Sequence, residues 1–209
     1  MDTLPFNLIW LGQTVCRYEV PLDILNTLNG IYATNFVNLP DAHKQHVCKI
    51  RKENSLFFGG ADNNKMHRHN LLPPYVLNWF ESVFKHYLDF NKIHPYKLHM
   101  NSIWINEMKA GEYNPIHIHQ GSIYTGLSSV MILKLPKDMG PEYAREDVPM
   151  NGRLSIIGSA NGQFVKSDYS PNTEERDFYI FPYDMRHCVY PHTNPNAIRR
   201  TLAANMDVE

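Results

Sequence analysis

The stretch Pro115-Ile-His-Ile-His-Gln-Gly121 sets two histidines one residue apart, directly after a Gly-Glu-Tyr-Asn turn. On a β-strand, side chains at i and i+2 share a face, so His117 and His119 would present both imidazoles to one place. Two neutral ring nitrogens at that spacing can bind one ion, and iron(II), zinc and other borderline divalent ions all accept imidazole. A third ligand has to come from a strand distant in sequence. The candidate is His187, in PYDMRHCVYPH, which follows the strand-like run DFYIFP and precedes Val189. The pair alone is a weak signal in a chain with 11 histidines. A second pair, His67-Arg68-His69, lies beside Lys65 and Arg68, which repel a cation, and reads as a solvated loop. His86 falls among core positions of a helix, and His192 reads as a loop residue.

The elements that position these residues divide into two kinds. The first hundred residues read as mostly helical. A helix is expected from Pro21-Leu22-Asp23, with Leu22, Leu25, Leu28 and Ile31 at helical spacing, ending near Asn29-Gly30 or slightly later. A second is expected from Pro40-Asp41-Ala42 through Val47 and Ile50. The clearest runs from Pro73 to Phe90, where Val76, Trp79, Phe80, Val83, Phe84, Tyr87 and Leu88 form an unbroken apolar stripe behind first-turn prolines. Between the last two lies the polar loop FFGGADNNKMHRHN. After about Lys97 the pattern changes to short apolar runs separated by Gly, Pro, Asn and Asp: LHMNSIWINEM, residues 122–135, RLSIIG, GQFVK, DFYIF, HCVY and RRTLAANM. This predicts an α+β protein: a C-terminal β-fold of roughly eight strands, of jelly-roll type, with N-terminal helices packed on it. Without a linker, residues 1–209 read as one domain, 1–97 mainly helical support and 98–209 the β-core.

The bulk numbers exclude other classes. With 209 residues, 43% hydrophobic and 12% aromatic, the chain has enough apolar content for a packed core. A formal net charge of −1 without long runs of one sign gives no strong nucleic-acid signal. Three widely spaced cysteines, Cys16, Cys48 and Cys188, make neither a disulfide framework nor a zinc knuckle, which fits a cytoplasmic setting. The N-terminus lacks the pattern of a signal peptide, and no stretch is long enough to span a membrane.

From about residue 100 the chain resembles the 2-oxoglutarate/iron(II)-dependent oxygenases, and among them a branch of small oxygenases found in marine phages and bacteria. Four stretches carry the likeness, in the right order and spacing: SIWINEMKAGEYNPIHIHQGSIYTG, SSVMILKLP, FYIFPYDMRHCVYPH and RRTLAAN. The resemblance implies a double-stranded β-helix, a form of jelly roll, whose mouth holds iron(II). His117 then matches the first metal histidine and His187 the distal one. His119 stands where the wider family has Asp or Glu, which leaves three arrangements open: a three-histidine site, a carboxylate from elsewhere, or water. Three neutral imidazoles leave the iron(II) site at +2 rather than +1, which favours a dianionic co-substrate.

The resemblance also implies a cationic fork for the distal carboxylate of 2-oxoglutarate. Arg199 and Thr201 share a strand face and align with the family's Arg-x-Ser; a one-residue slip would substitute Arg200 for Arg199. Asn106 is a further candidate for contact with the co-substrate, Trp104 for packing, and Tyr124 and Ser129 for the pocket wall. The implied activity consumes O2 and 2-oxoglutarate and hydroxylates a C–H bond of a small-molecule or peptide substrate; the loop of residues 137–152 and the FFGGADNNKMHRHN loop are both long enough to act as lids. A homodimer is compatible with this reading, as is a host cytoplasm if the chain is viral. Two rivals keep the fold. A three-histidine zinc hydratase or hydrolase has no need of Arg199 and Thr201. A jelly-roll binding module has no catalysis.

Overall fold

The runs of β-branched and aromatic residues, punctuated by turns, form most of the secondary structure of the computed structural model, which describes residues 5–35, 37–42, 48–59, 68–159, 162–163 and 165–209. In chain order the elements are β1 (Phe6–Leu11), β2 (Gln13–Glu19), α1 (Leu22–Asn35), β3 (Lys52–Phe58), β4 (His69–Asn70), α2 (Pro74–Phe90), β5 (Leu98–Met108), β6 (Asn114–His117), β7 (Gly126–Lys134), β8 (Leu154–Ile157), β9 (Asp168–Tyr169), β10 (Asp177–Pro182), β11 (Arg186–Val189) and β12 (Arg199–Val208). They pair into an eight-stranded sheet, ordered β1-β2-β10-β7-β12-β5-β3-β4, and a four-stranded sheet, ordered β6-β11-β8-β9. All named pairings are antiparallel. From β5 to β12 the chain crosses repeatedly between the two sheets, which is the winding of a jelly roll.

The large sheet sorts its residues by the two-residue period of a strand. Met131 and Leu133 of β7, Phe178 and Ile180 of β10, and Leu202, Ala204 and Met206 of β12 face α1 and α2. They meet Leu25, Leu28 and Tyr32 of α1 and Val76, Phe80, Val83, Phe84 and Tyr87 of α2 in one apolar layer. The alternate residues, Val130, Ile132, Tyr179 and Phe181, face the small sheet and pack with Leu154, Ile156 and Val189. The residues of β12 on this inner face are of another kind: Arg199, Thr201, Ala203, Asn205 and Asp207.

The N-terminal region differs from the expectation of a mainly helical support. It contributes β1, β2, β3 and β4 to the large sheet as well as the two helices. β1 and β2 form a hairpin around Gly12, whose φ of 85° suits the residue without a Cβ. That single glycine is a sparse turn signal, so the hairpin is hard to read in the sequence. The helix expected from Pro40 to Ile50 is absent at its described ends: Asp41 and Lys49 make isolated β-bridges to Asn54 and Tyr113, and residues 43–47 lie outside the described set. Helix α1 runs past Gly30 because Tyr32 continues its buried stripe. The strand expected in GQFVK is absent at its described residues, Phe164 lying outside the described set, and β9 follows at Asp168–Tyr169. His67 lies outside the described residues, and His69 is not free in a loop but bonds to Ser55 Oγ at 2.9 Å from β4. No helix among the described residues is long and apolar enough to cross a membrane.

Phe178 is fully buried where α2 meets the sheet, with ring contacts to Tyr18, Trp79, Phe80 and Phe84. Phe178→Ala should therefore cost about 3–5 kcal/mol of folding stability, read as a lower denaturant midpoint in urea.

Candidate metal centre

His117 and His187 are cross-strand partners, held opposite one another by the pairing of β6 with β11. The chain enters β6 through a turn at Lys109–Glu112. Gly111 there has a φ of 76°, and Glu112 Oε2 accepts the Lys109 N–H at 2.8 Å. It enters β11 through a turn in which Met185 N–H donates to Pro182 O. His119 lies two residues past His117, beyond the end of β6, and its N–H donates to Tyr183 O at 2.8 Å. The three rings converge: centroids are 4.2 Å apart for His117 and His187, 4.9 Å for His119 and His187, and 5.0 Å for His117 and His119.

The donor geometry suits an ion. One ring nitrogen from each histidine lies within 4.8 Å of the other two, and the cluster holds no Asp or Glu among the described residues. His119 Nε2 and His187 Nε2 are 3.1 Å apart. Two nitrogens at right angles on an ion about 2.1 Å from each would be about 3.0 Å apart. Nδ1 of His117 and Nδ1 of His187 face the carbonyls of Pro115 and Met185, at 2.7 and 3.1 Å. A carbonyl only accepts, so each Nδ1 carries the proton and each Nε2 has its lone pair toward the cluster. Burial, with His117 nearby, pushes the His187 pKa down to about 3, which keeps this ring in the neutral form that coordinates.

Facing the cluster is the inner row of β12 with its neighbours on β5. Asn205 meets His119, and the Trp104 ring lies 5.9 Å from that of His119. Trp104 is opposite Ala203, Asn106 is opposite Thr201, and Arg199 is opposite Met108. Arg199 is 1% exposed, and its Nε and Nη2 have no hydrogen-bond partner among the described residues; Asn106 Oδ1 is likewise buried and unpartnered among them. Burial lowers the Arg199 pKa to about 10, so it remains a cation at neutral pH. Arg200 points the other way, toward the helices. Its Nη2 pairs with Glu107 Oε2 at 2.9 Å, and its guanidinium lies over the Tyr32 ring. The loop over residues 137–152 closes over the Arg199 end: a Cβ at Gly152 would meet Met139 at 3.0 Å and Arg199 Cδ at 3.7 Å.

The sequence-derived pocket residues are placed unevenly. His117, His119, His187, Asn106, Thr201 and Arg199 all face the space between the sheets. Ser129 does not: it is paired with Ala204 on the helix side and donates to Ala204 O at 2.9 Å. Its neighbour Ser128 takes the inner position, a slip of one residue that exchanges the faces. Tyr124 is 85% exposed at the rim. Four residues near the site were not anticipated. Asn205 and Asp207 continue the period-two row from Arg199, so strand alternation could have found them. Tyr183 and His192 had no comparable signal. His192 is fully buried, with Nε2 3.3 Å from Met108 O and Nδ1 unpartnered.

Asp207 anchors the turn that follows His119. Its carboxylate accepts Ser122 N–H at 3.0 Å, Asn101 Nδ2 at 3.2 Å and Tyr183 Oη at 2.9 Å. Gly121 lies so close that a Cβ would fall 1.7 Å from Asp207 Oδ1. Gly121→Ala should displace this turn, cost roughly 1–3 kcal/mol in stability, and weaken metal binding, measured by thermal melts and metal titration.

Comparisons with known proteins bear on the fold and on the family. The family model described as "Putative 2OG-Fe(II) oxygenase" matches residues 102–205, a span that holds Asn106, His117, His119, His187, Arg199 and Thr201 but not Asp207. No curated protein matches the chain in sequence. Among solved structures, a 2OG-Fe(II) oxygenase family oxidoreductase from Burkholderia pseudomallei superposes with a TM-score of 0.56 at 13% identity, over 91% of this chain and 84% of that one. A prolyl-4-hydroxylase from Pseudomonas putida gives 0.53 at 12%, over 91% of each chain. A Trichoplax adhaerens prolyl hydroxylase, solved with a hypoxia inducible factor peptide fragment, gives 0.57 at 12%, over 92% and 83%. At these identities the likeness speaks for the fold, while the family match covers the strands that carry the site. The chain belongs to the 2-oxoglutarate/iron(II)-dependent oxygenases.

Proposed function

We propose that this oxygenase binds iron(II) through Nε2 of His117, His119 and His187, and holds 2-oxoglutarate with its distal carboxylate on Arg199 and Thr201. The observation that carries the reading is the Arg199 guanidinium, a buried cation without a carboxylate partner among the described residues, on the same inner face as the imidazole cluster. An isolated buried charge costs several kcal/mol, and buried polar groups in folded proteins are normally paired. A carboxylate supplied by a ligand would complete this one, and the planar fork matches its two oxygens. A zinc hydratase or a passive binding module would leave the guanidinium with no task.

Iron(II) and 2-oxoglutarate together supply the oxidising chemistry of the family: dioxygen is consumed, 2-oxoglutarate becomes succinate and carbon dioxide, and a substrate C–H bond is hydroxylated. The chain's own residues bind and orient. Thr201 offers a hydroxyl beside Arg199, and Asn106 an amide opposite Thr201. Ala203, with little bulk, leaves room between the carboxylate end and the metal end. Trp104 and the apolar residues between the sheets keep water from that space. The substrate is a small molecule or peptide approaching over Tyr124 and Ile118, both exposed beside the histidines. The reading treats residues 1–209 as one oxygenase-like domain, supported by the pairing of β2 with β10 and β3 with β5 in one sheet.

Protein loaded with iron(II) and 2-oxoglutarate in air should form succinate as oxygen falls. Absence of both succinate and 2-oxoglutarate binding by calorimetry would overturn the reading. His187→Ala should lose the metal, read by elemental analysis of the purified protein. Arg199→Met should weaken 2-oxoglutarate binding at least about 30-fold. The same variant, free of 2-oxoglutarate, should melt higher than the parent, because a buried unpaired charge has been removed.

A further inference from the structure

The three histidines differ in what fixes their protons. Backbone carbonyls face Nδ1 of His117 and of His187. The Nδ1 of His119 instead faces a side-chain amide, with Asn205 Nδ2 at 3.5 Å. The other end of that amide is fixed as well: the fully buried Ser128 Oγ donates to Asn205 Oδ1 at 2.8 Å. Ser128, Asn205 and His119 thus form a line running from β7 through β12 to the cluster.

The direction of this line matters. With Nδ2 toward the ring, Nδ1 of His119 is the acceptor and its proton sits on Nε2, aimed at His187 Nε2 3.1 Å away. His187 accepts there because its own Nδ1–H is directed to Met185 O. Every donor then runs one way: Ser128 to Asn205, Asn205 to His119, His119 to His187, His187 to the backbone. In this state His119 has no lone pair for an ion. A side-chain amide can reverse, since its two ends are nearly the same shape, and a hydroxyl donates or accepts equally well. With Asn205 turned over, Oδ1 accepts Nδ1–H of His119, Nδ2 donates to Ser128 Oγ, and Nε2 of His119 is free to coordinate.

We infer that Asn205, backed by Ser128, is a positioning residue that selects the tautomer of His119, and that metal binding reverses the Ser128–Asn205–His119 line. This rests on the metal reading above. The ring gives up the proton at Nε2 and takes one at Nδ1 by exchange with water, so its charge is unchanged. His117 and His187 need no such device because a carbonyl has only one role.

The test uses the full chain, 15N-labelled, with zinc alone as a diamagnetic ion. Long-range proton–nitrogen spectra should show His119 as the Nε2–H tautomer without metal and as Nδ1–H with zinc. Asn205→Asp, whose carboxylate only accepts, should show Nδ1–H in both states and bind zinc at least as tightly as the parent. Asn205→Leu should bind zinc about 10- to 100-fold more weakly, by competition with a chelator. The tautomer measurement on the parent protein stands even where a variant does not fold. Nδ1–H at His119 before and after zinc overturns the inference and leaves the metal reading intact, as does parental affinity in Asn205→Leu. A parent chain that takes up neither zinc nor iron(II) overturns both.

Discussion

The site depends on the two-residue alternation of the large sheet. One strand, β12, serves two solvents at once. Leu202, Ala204 and Met206 dissolve in the apolar layer beneath the helices, and Arg199, Thr201, Asn205 and Asp207 line the space between the sheets. Neither set tolerates the other's place. A shift of one residue would bury Leu202 among polar groups and replace Arg199 by Arg200, whose own surroundings are already satisfied by Glu107. The apolar face therefore fixes the register, and the register fixes which arginine reaches the interior. Helices α1 and α2 contribute no site residue, yet they hold the chemistry in place by specifying which side of β12 is dry.

The electrostatics follow from the same geometry. The histidine end offers three imidazoles, and the far end offers a cation without a carboxylate partner among the described residues. Both ends favour a negatively charged guest, and the proposed seat of the dianion 2-oxoglutarate would meet them together. The hydrogen bonds around the cluster come from short range on one side and long range on the other. Pro115 and Met185 each lie two residues before their histidine, whereas Asn205 and Asp207 reach the His119 turn from the end of the chain.

Much of this was legible in the sequence, for identifiable reasons. The HxH pair, a distant histidine after a strand, and Arg-x-Thr on a terminal strand are local patterns, and strand periodicity carries them into space. The stripe of α2 was legible because it obeys a single period over many residues, and β5, β7 and β12 because each is a long run of strand-forming residues bounded by turn signals. The hairpin of β1 and β2 was not, since one glycine makes its turn. The inner position of Ser128 was not, because the apolar run of β7 is buried on both faces and shows no alternation. His192 could not be told from a loop residue: its burial comes from packing against Met108, far away in sequence. Tyr183 is of the same kind, its partner Asp207 being set by the closing of the jelly roll.

The pairing of β2 with β10 places Cys16 beside Ile180. A chain emerging from the ribosome must therefore keep this hairpin waiting until about 160 further residues have been made. Residues 177–199 bring the hairpin's partner, the distal histidine and the buried arginine. Long-range closures of this sort make assembly slow. They also join structural completion to chemical competence, because a product cut short before residue 187 would lack both the central strand β12 and, with His187 and Arg199, part of each proposed binding group.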